Sequence, residues 1–215
     1  MSQIFSPRFG FLFRLGLIAV VVIVLVAIFL WRTLTAYPSG ENDALQQPVP
    51  FSHKHHVGDD GIDCRYCHAA VETSGFAGIP PLSTCMTCHS QLFTDQRVLA
   101  PLLRAYQGGA PLRWQRVHQL PDFVYFNHSI HIAKGVGCVS CHGEVDAMPL
   151  TLRVAPLTMR WCLECHREPE QALRPRDQVF NLHWRAADQQ ALGTQLLREY
   201  HIDKRRMTDC TLCHR

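Results

Sequence analysis

All ten cysteines of this 215-residue chain fall in five copies of one motif, Cys-x-x-Cys-His. The copies are Cys64–Cys67–His68, Cys85–Cys88–His89, Cys138–Cys141–His142, Cys162–Cys165–His166 and Cys210–Cys213–His214. That pattern is the attachment signature of c-type haem. The two thiols form thioethers with the haem vinyls, and the adjacent histidine becomes the proximal iron ligand. Zinc sites pair Cys-x-x-Cys units face to face, so five is an awkward number for them. Zinc also places no demand on the next residue. With 13 histidines in 215 residues, five chance hits at that position have a probability of roughly one in a million. A disulfide scaffold fails too, because x-x spacing throughout closes almost no loop. The cofactor expected is five covalently bound haem c.

Five prosthetic groups dictate the fold class. Beyond Trp31 there remain 184 residues, about 37 per haem, too few to build an ordinary apolar core as well. The expectation is a multihaem cytochrome c, mostly irregular with short α-helices, organised around a haem core. No sheet is expected. Two longer helices are predicted. One runs from Thr94 to Gln107 and stops at Gly108-Gly109, with Pro101 limiting it. The other runs from Asp188 to Tyr200, with Leu192, Leu196 and Leu197 on one face. Trp161 and Phe123 are expected to pack on haem. The formal net charge of +3 omits the two propionates of each haem, which turn the balance negative. The basic residues are interspersed, so no nucleic-acid partner is expected.

The N-terminal stretch GFLFRLGLIAVVVIVLVAIFLWR is uncharged from Leu15 to Trp31. Taken from Phe11, its 21 residues make about 31 Å of helix, which matches a bilayer core. Arg14 can snorkel, and Trp31 suits the interface. Leu34-Thr35-Ala36 is a poor cleavage site, which favours an uncleaved anchor over a signal peptide. Arg8 and Arg14 favour a cytoplasmic N-terminus. Haem is attached on the outer side of energy-coupling membranes, so the rest is expected in the periplasm or its equivalent. The expected layout is a cytoplasmic N-terminus over 1–10, a transmembrane helix over 11–31 held by membrane lipid, and a polar, proline-rich linker over 32–50.

The haem region contains a duplication. Phe51-Ser52-His53-Lys54-His55-His56 and Phe126-Asn127-His128-Ser129-Ile130-His131 share the form F-x-H-x-x-H, and each precedes two haem motifs. The copies are offset by about 75 residues throughout. The expected modules are 51–125 with its connection, 126–180, and a C-terminal helix with the fifth haem over 181–215. Each module has two haems and two spare histidines. His53, His56, His128 and His131 are therefore candidate distal iron ligands; the alternative is that they bond propionates or water. His55 is expected to be solvated or propionate-bonded. For the fifth haem, His118, Met148 and Met159 are candidates, and a His/Met haem has a higher potential than a bis-His haem. Methionine is more often core filler. His183 and His201 are weaker ligand candidates, and Met86 is expected to pack.

Several longer motifs carry a resemblance. They are Ile79-Pro80-Pro81, Val117-His118-x-Leu120-Pro121-Asp122-Phe123-Val124-Tyr125-Phe126-Asn127-His128, and Leu157-x-Met159-x-Trp161-Cys162-Leu163-x-Cys165-His166-Arg167. With the F-x-H-x-x-H blocks they resemble small multihaem cytochromes of the c3/c7 type. With the anchor and the count of five, they resemble the membrane-anchored pentahaem cytochrome subunit of alternative complex III. The resemblance implies a respiratory-chain role in a quinol:electron-acceptor oxidoreductase. It implies partners: an integral membrane quinol-binding subunit, an iron–sulfur subunit, a monohaem cytochrome c and a terminal oxidase. It also implies bis-His haems beside one His/Met haem, and no catalytic site on this chain.

Compactness supports a wire. A 184-residue unit has a radius of gyration of about 16 Å, so five haems within it stand at most about 20 Å apart. One alternative is a stand-alone multihaem quinol dehydrogenase feeding periplasmic reductases. The first motif begins 33 residues after Trp31, at Cys64, which disfavours direct quinol access to the first haem. The other is a substrate-reducing multihaem enzyme, which needs an open iron position; spare ligands and five intact histidines disfavour it.

Overall fold

The computed structural model describes residues 7–35 and 40–214, with backbone alone for Pro7, Leu34 and Thr35. The expected N-terminal segment over 1–10 and linker over 32–50 therefore lie partly outside the described residues. The chain forms two units, residues 1–39 and 40–215.

The first unit is helix α1 (Pro7–Thr35). Proline suits its first turn, where the missing N–H has no intrahelical partner. The helix runs four residues beyond the expected span at each end. Its apolar stretch, Arg8–Thr33, has a mean hydropathy of 3.0, and none of it is covered by protein. A helix apolar on every side needs an apolar surround, and this one is long and apolar enough to cross a membrane.

The second unit is built of short helices and irregular backbone. A π-helical turn spans Lys54–Asp59, followed by α2 (Cys64–Cys67), α3 (Leu82–His89), α4 (Ala100–Tyr106), α5 (His128–Ala133), α6 (Val139–His142), α7 (Met159–Arg167), α8 (Gln189–Glu199) and α9 (Cys210–Cys213). Side-chain caps start several of them. Asp63 accepts from the Arg65 amide at α2, Asn127 from Ile130 at α5, Thr158 from Trp161 at α7 and Asp188 from Ala191 at α8. Each satisfies an otherwise orphaned backbone N–H. Among the described residues no strand forms; there are isolated bridges, Val124 with His214 and Val136 with Leu173.

The predicted helix over 94–107 is shorter than expected. A 3₁₀ turn spans Arg97–Leu99, and α4 begins only at Ala100, with Pro101 in its first turn. Proline there has no N–H for an earlier carbonyl, and the helical turns start at Gln96 and Leu99 without a side-chain cap. The predicted helix over 188–200 is α8, capped by Asp188. Leu196 is buried there with Leu173 and Tyr200, and Leu192 and Leu197 pack on that cluster. Elsewhere, apolar burial is sparse. The buried hydrophobic side chains among the described residues are Val49, Val71, Leu102, Ala155, Leu173, Val179, Leu182, Leu196 and Tyr200. That is too few to hold a unit of this size by side-chain packing alone.

Candidate functional site

Every motif sits on a turn of helix: α2, α3, the start of α6, α7 and α9. In a helix, residues three apart share a face and the fourth follows them. In α3 and α7 both thiols and the histidine lie within the helix and so share one side, whereas His68 and His214 follow α2 and α9 as the capping residues. Of the ten cysteines, Cys88 and Cys210 are exposed and the other eight half-buried. The thiols of successive sites lie close. Burial pushes Cys141 up to about 12, with the Cys165 and Cys162 thiols adding to it. Cys138 is raised to about 11 by burial and then by Cys64.

The histidines of four motifs are oriented alike. Nδ1–H donates to a carbonyl oxygen in each: His68 to Gly78 at 2.8 Å, His89 to Leu92 at 3.2 Å, His166 to Met207 at 2.7 Å and His214 to Phe123 at 3.3 Å. A carbonyl can only accept, so the lone pair is on Nε2, the tautomer a metal ligand requires. Burial holds His142 down to about 3, with His118 the first charged neighbour, which keeps that ring neutral.

The two F-x-H-x-x-H blocks build the same device twice. Phe51 stacks on His56 (ring centres 4.5 Å, planes 22°) and meets His53 edge-on at 4.9 Å and 87°. Phe126 stacks on His131 (4.4 Å, 28°) and meets His128 at 4.8 Å and 88°. Nδ1–H of His56 donates to Ser52 O at 2.9 Å, and that of His131 to Asn127 O at 2.7 Å. The outer pair is anchored across the duplication: His128 Nδ1–H donates to Gly75 O at 3.1 Å, and His53 Nδ1 bonds the Thr151 hydroxyl at 2.8 Å. Sequence reasoning found these histidines but missed the phenylalanine clamps, although Phe at the head of both blocks was the visible signal. It also missed Thr151 and Gly75, whose contacts span 98 and 53 residues.

These rings face motif histidines at a telling distance. Metal–imidazole bonds of about 2 Å on both sides of one iron place two ring centres roughly 6 Å apart. His56 and His89 are 6.1 Å apart, His128 and His142 6.4 Å, and His131 and His166 6.3 Å. His53 is held down to about 4 by burial and then by His68, its first charged neighbour. His118 stands edge-on to His142 at 4.3 Å, too close for an iron between them. Its Nε2 is buried with no hydrogen-bond partner, and burial lowers it to about 4. It therefore sits beside the third motif, whereas the sequence made it a candidate for the fifth haem.

Other candidates are placed differently. His55 lies against Asp60 (3.5 Å) and Asp59 (4.0 Å). His183 Nε2 bonds Asp146 at 2.6 Å. His201 is exposed, in a turn with φ of 52°. Met148 is half-buried after a 3₁₀ turn, where its carbonyl accepts from the Lys54 amide. Met159 opens α7 and is 62% exposed, and Cys162, three residues on, has the Cys213 thiol as its first charged neighbour after burial. Phe123 stacks on His214 at 5.8 Å. Trp161 is half-buried on α7, and Met86 half-buried on α3.

The donor set fits covalent haem. Paired thiols stand beside Nε2-free imidazoles, second imidazoles stand one iron's width away, and the buried Nε2 of His118 lacks any protein partner. A bare metal ion fits less well: among the described residues no three His, Cys, Asp or Glu side chains converge on one point.

Fold and site together define the class: mostly irregular, short-helical, of the multihaem cytochrome c type. Residues 124–215 match the family described as cytochrome c7 and related cytochrome c, and residues 32–106 match the class III cytochrome C family. The multihaem cytochrome c subunit of menaquinone reductase from Nitratidesulfovibrio vulgaris is 34% identical over 121 residues. That stretch is 56% of this chain and 55% of the relative, so the chain spans about half the length of the curated relative it matches. Similarity to these c-type cytochrome families accords with covalently bound haem and electron transfer.

Proposed function

We propose that this chain is the pentahaem electron-transfer cytochrome of a membrane quinol:electron-acceptor oxidoreductase of the alternative complex III type. Bound haem supplies a reversible one-electron iron couple at each motif. Cys64, Cys67, Cys85, Cys88, Cys138, Cys141, Cys162, Cys165, Cys210 and Cys213 hold the five groups, and His68, His89, His142, His166 and His214 are the proximal ligands. His56, His128 and His131 close the sixth positions opposite His89, His142 and His166, and His53, by the same duplication, that opposite His68. Met159 serves the fifth site, and His118 is a spare buried imidazole beside His142. Closed sixth positions leave no place for a substrate. Helix α1 anchors the chain in the cytoplasmic membrane, with residues beyond it on the periplasmic side.

The observation that carries this reading is the repeated spacing of 6.1 to 6.4 Å between a motif histidine and a clamped second histidine. The partners follow from the sequence resemblance: a membrane quinol-binding subunit, an iron–sulfur subunit, a monohaem cytochrome c and a terminal oxidase. A second reading is favoured by the relative, which is named for menaquinone reduction. In it, the same cytochrome feeds electrons toward the quinone. Purification from native membranes tests both. Mass spectrometry of this chain should show five covalent haems, and the copurifying subunits should include an integral membrane protein. Reduction of the haems by added quinol, with release of two electrons per quinol, supports the first reading. Haems that reduce only from a periplasmic donor and then pass electrons to quinone support the second.

A further inference from the structure

We propose that the five attachment sites stand in space in the order second, first, third, fourth, fifth. The Cys85–Cys88 and Cys210–Cys213 sites are then the two ends, and the first site is interior. This rests on the reading that each motif carries a haem.

Four junctions define the row. Tyr66, inside the first motif, is hydrogen-bonded at 2.7 Å to Thr87, inside the second. The first and third sites are joined reciprocally. Behind the first motif, the carbonyls of Gly75 and Ser74 accept from the amides of His128 and Ser129, each at 3.2 Å. Behind the third motif, Met148 O accepts from the Lys54 amide at 3.0 Å, and Thr151 bonds His53. The third and fourth sites share α5, whose His128 faces His142 and whose His131 faces His166. The fourth and fifth sites are tied by His166 Nδ1–H to Met207 O, three residues before Cys210.

Duplication explains why the spatial order departs from chain order. The two copies touch through equivalent parts, the histidine pair of one on the loop behind the leading motif of the other. Such a reciprocal contact is what a two-fold relation produces. It turns the leading motif of each copy inward, so the first and third sites meet, and the second and fourth point outward. The fifth motif, outside the duplication, extends the fourth. Exposure agrees independently: the two exposed attachment cysteines are Cys88 and Cys210, one at each proposed end. The sites a redox partner reaches are therefore the second and the fifth. The first, nearest in sequence to α1, is enclosed.

Iron positions in the haem-loaded full-length chain, from anomalous scattering, give the direct test. The iron at Cys85–Cys88 should have one near neighbour, at Cys64–Cys67, which should in turn neighbour the iron at Cys138–Cys141. A second-site iron adjacent to the third overturns the proposal. Paramagnetic resonance of haem-deletion variants reads the same order in solution. Cys64→Ala/Cys67→Ala should strand the second haem as one magnetically uncoupled low-spin signal. Cys85→Ala/Cys88→Ala should leave four coupled haems. Chain order would exchange these two outcomes. Should either variant fail to accumulate, the iron positions decide. A wild-type count below five haems would instead sink the pentahaem reading.

Discussion

Phe126 lies flat on His131, ring centres 4.4 Å apart and planes 28° from parallel, while Asn127 O holds the other side of that imidazole through Nδ1–H. Two constraints leave the ring one orientation, with Nε2 aimed at the space before His166, 6.3 Å from centre to centre. An imidazole so fixed loses little freedom when it ligates a metal, which favours binding.

The first prediction follows from that aim. His131→Ala should open one iron: one haem in five becomes high-spin when oxidised and binds carbon monoxide when reduced. His56→Ala should do the same at another haem. His55→Ala, whose ring lies between Asp59 and Asp60, should change neither spectrum. Visible and paramagnetic resonance spectra of the three variants check this. An opened iron in His55→Ala, or a wholly low-spin His131→Ala, would reverse the assignment.

How far the sequence reached is clear from these same residues. The motifs, the four block histidines and α8 were legible because each is a local pattern. Helical spacing, capping by Asp188 and fixed motif lengths need no knowledge of the rest of the chain. Thr151 and Gly75 were not legible, because they act on rings 98 and 53 residues away. Helix α4 was drawn too long for a local reason that was present but underweighted, Pro101. From sequence, His118 is one of three candidates for the fifth haem, with Met148 and Met159. The structure sets it beside His142, a placement that depends on how the two copies fold together.

The clamp itself has a separable effect. Phe126→Leu keeps an apolar side chain but removes the stacked ring, worth about 1 kcal/mol. The variant should retain five haems and stay low-spin, since His131 still donates to Asn127 O. Its denaturation midpoint should fall by an amount equivalent to about 1 kcal/mol. One low-spin resonance should shift or broaden as its ligand plane gains freedom. An unchanged spectrum and unchanged stability would show that the ring stack holds nothing.

Gly193 tests the side-chain core independently of haem. It is buried in α8, and a Cβ there would run into the carbonyl oxygen of Glu170. In an exposed helix, Gly to Ala is stabilising by about 1 kcal/mol. Here overpacking, at about 1–3 kcal/mol, opposes it, and the obstacle is backbone that cannot swing aside. Gly193→Ala should therefore lower stability and loosen the packing of α8 on Pro169–Gln171, measured by thermal unfolding and amide exchange over 189–199. A rise in melting temperature would mean that the helix shifts freely, contrary to the packing of Leu196 and Tyr200 on Leu173.

Met159 poses the sharpest question about the fifth site. It stands in the first turn of α7, and Cys162, one turn further on, neighbours Cys213. Its side chain is 62% exposed, which core filling does not explain. Thioether ligation raises a haem potential relative to a second imidazole. Met159→His should therefore keep every haem low-spin while lowering one midpoint potential. Met159→Leu, which cannot ligate, should leave one haem high-spin and open to carbon monoxide. Met148→Leu serves as the control: its side chain packs toward Gly143 and Val154, and the variant should leave all five potentials in place. Potentiometric titration followed at the haem absorption band reads all three variants. If Met159→His and Met159→Leu leave every potential unchanged, the sixth ligand of the fifth iron lies elsewhere.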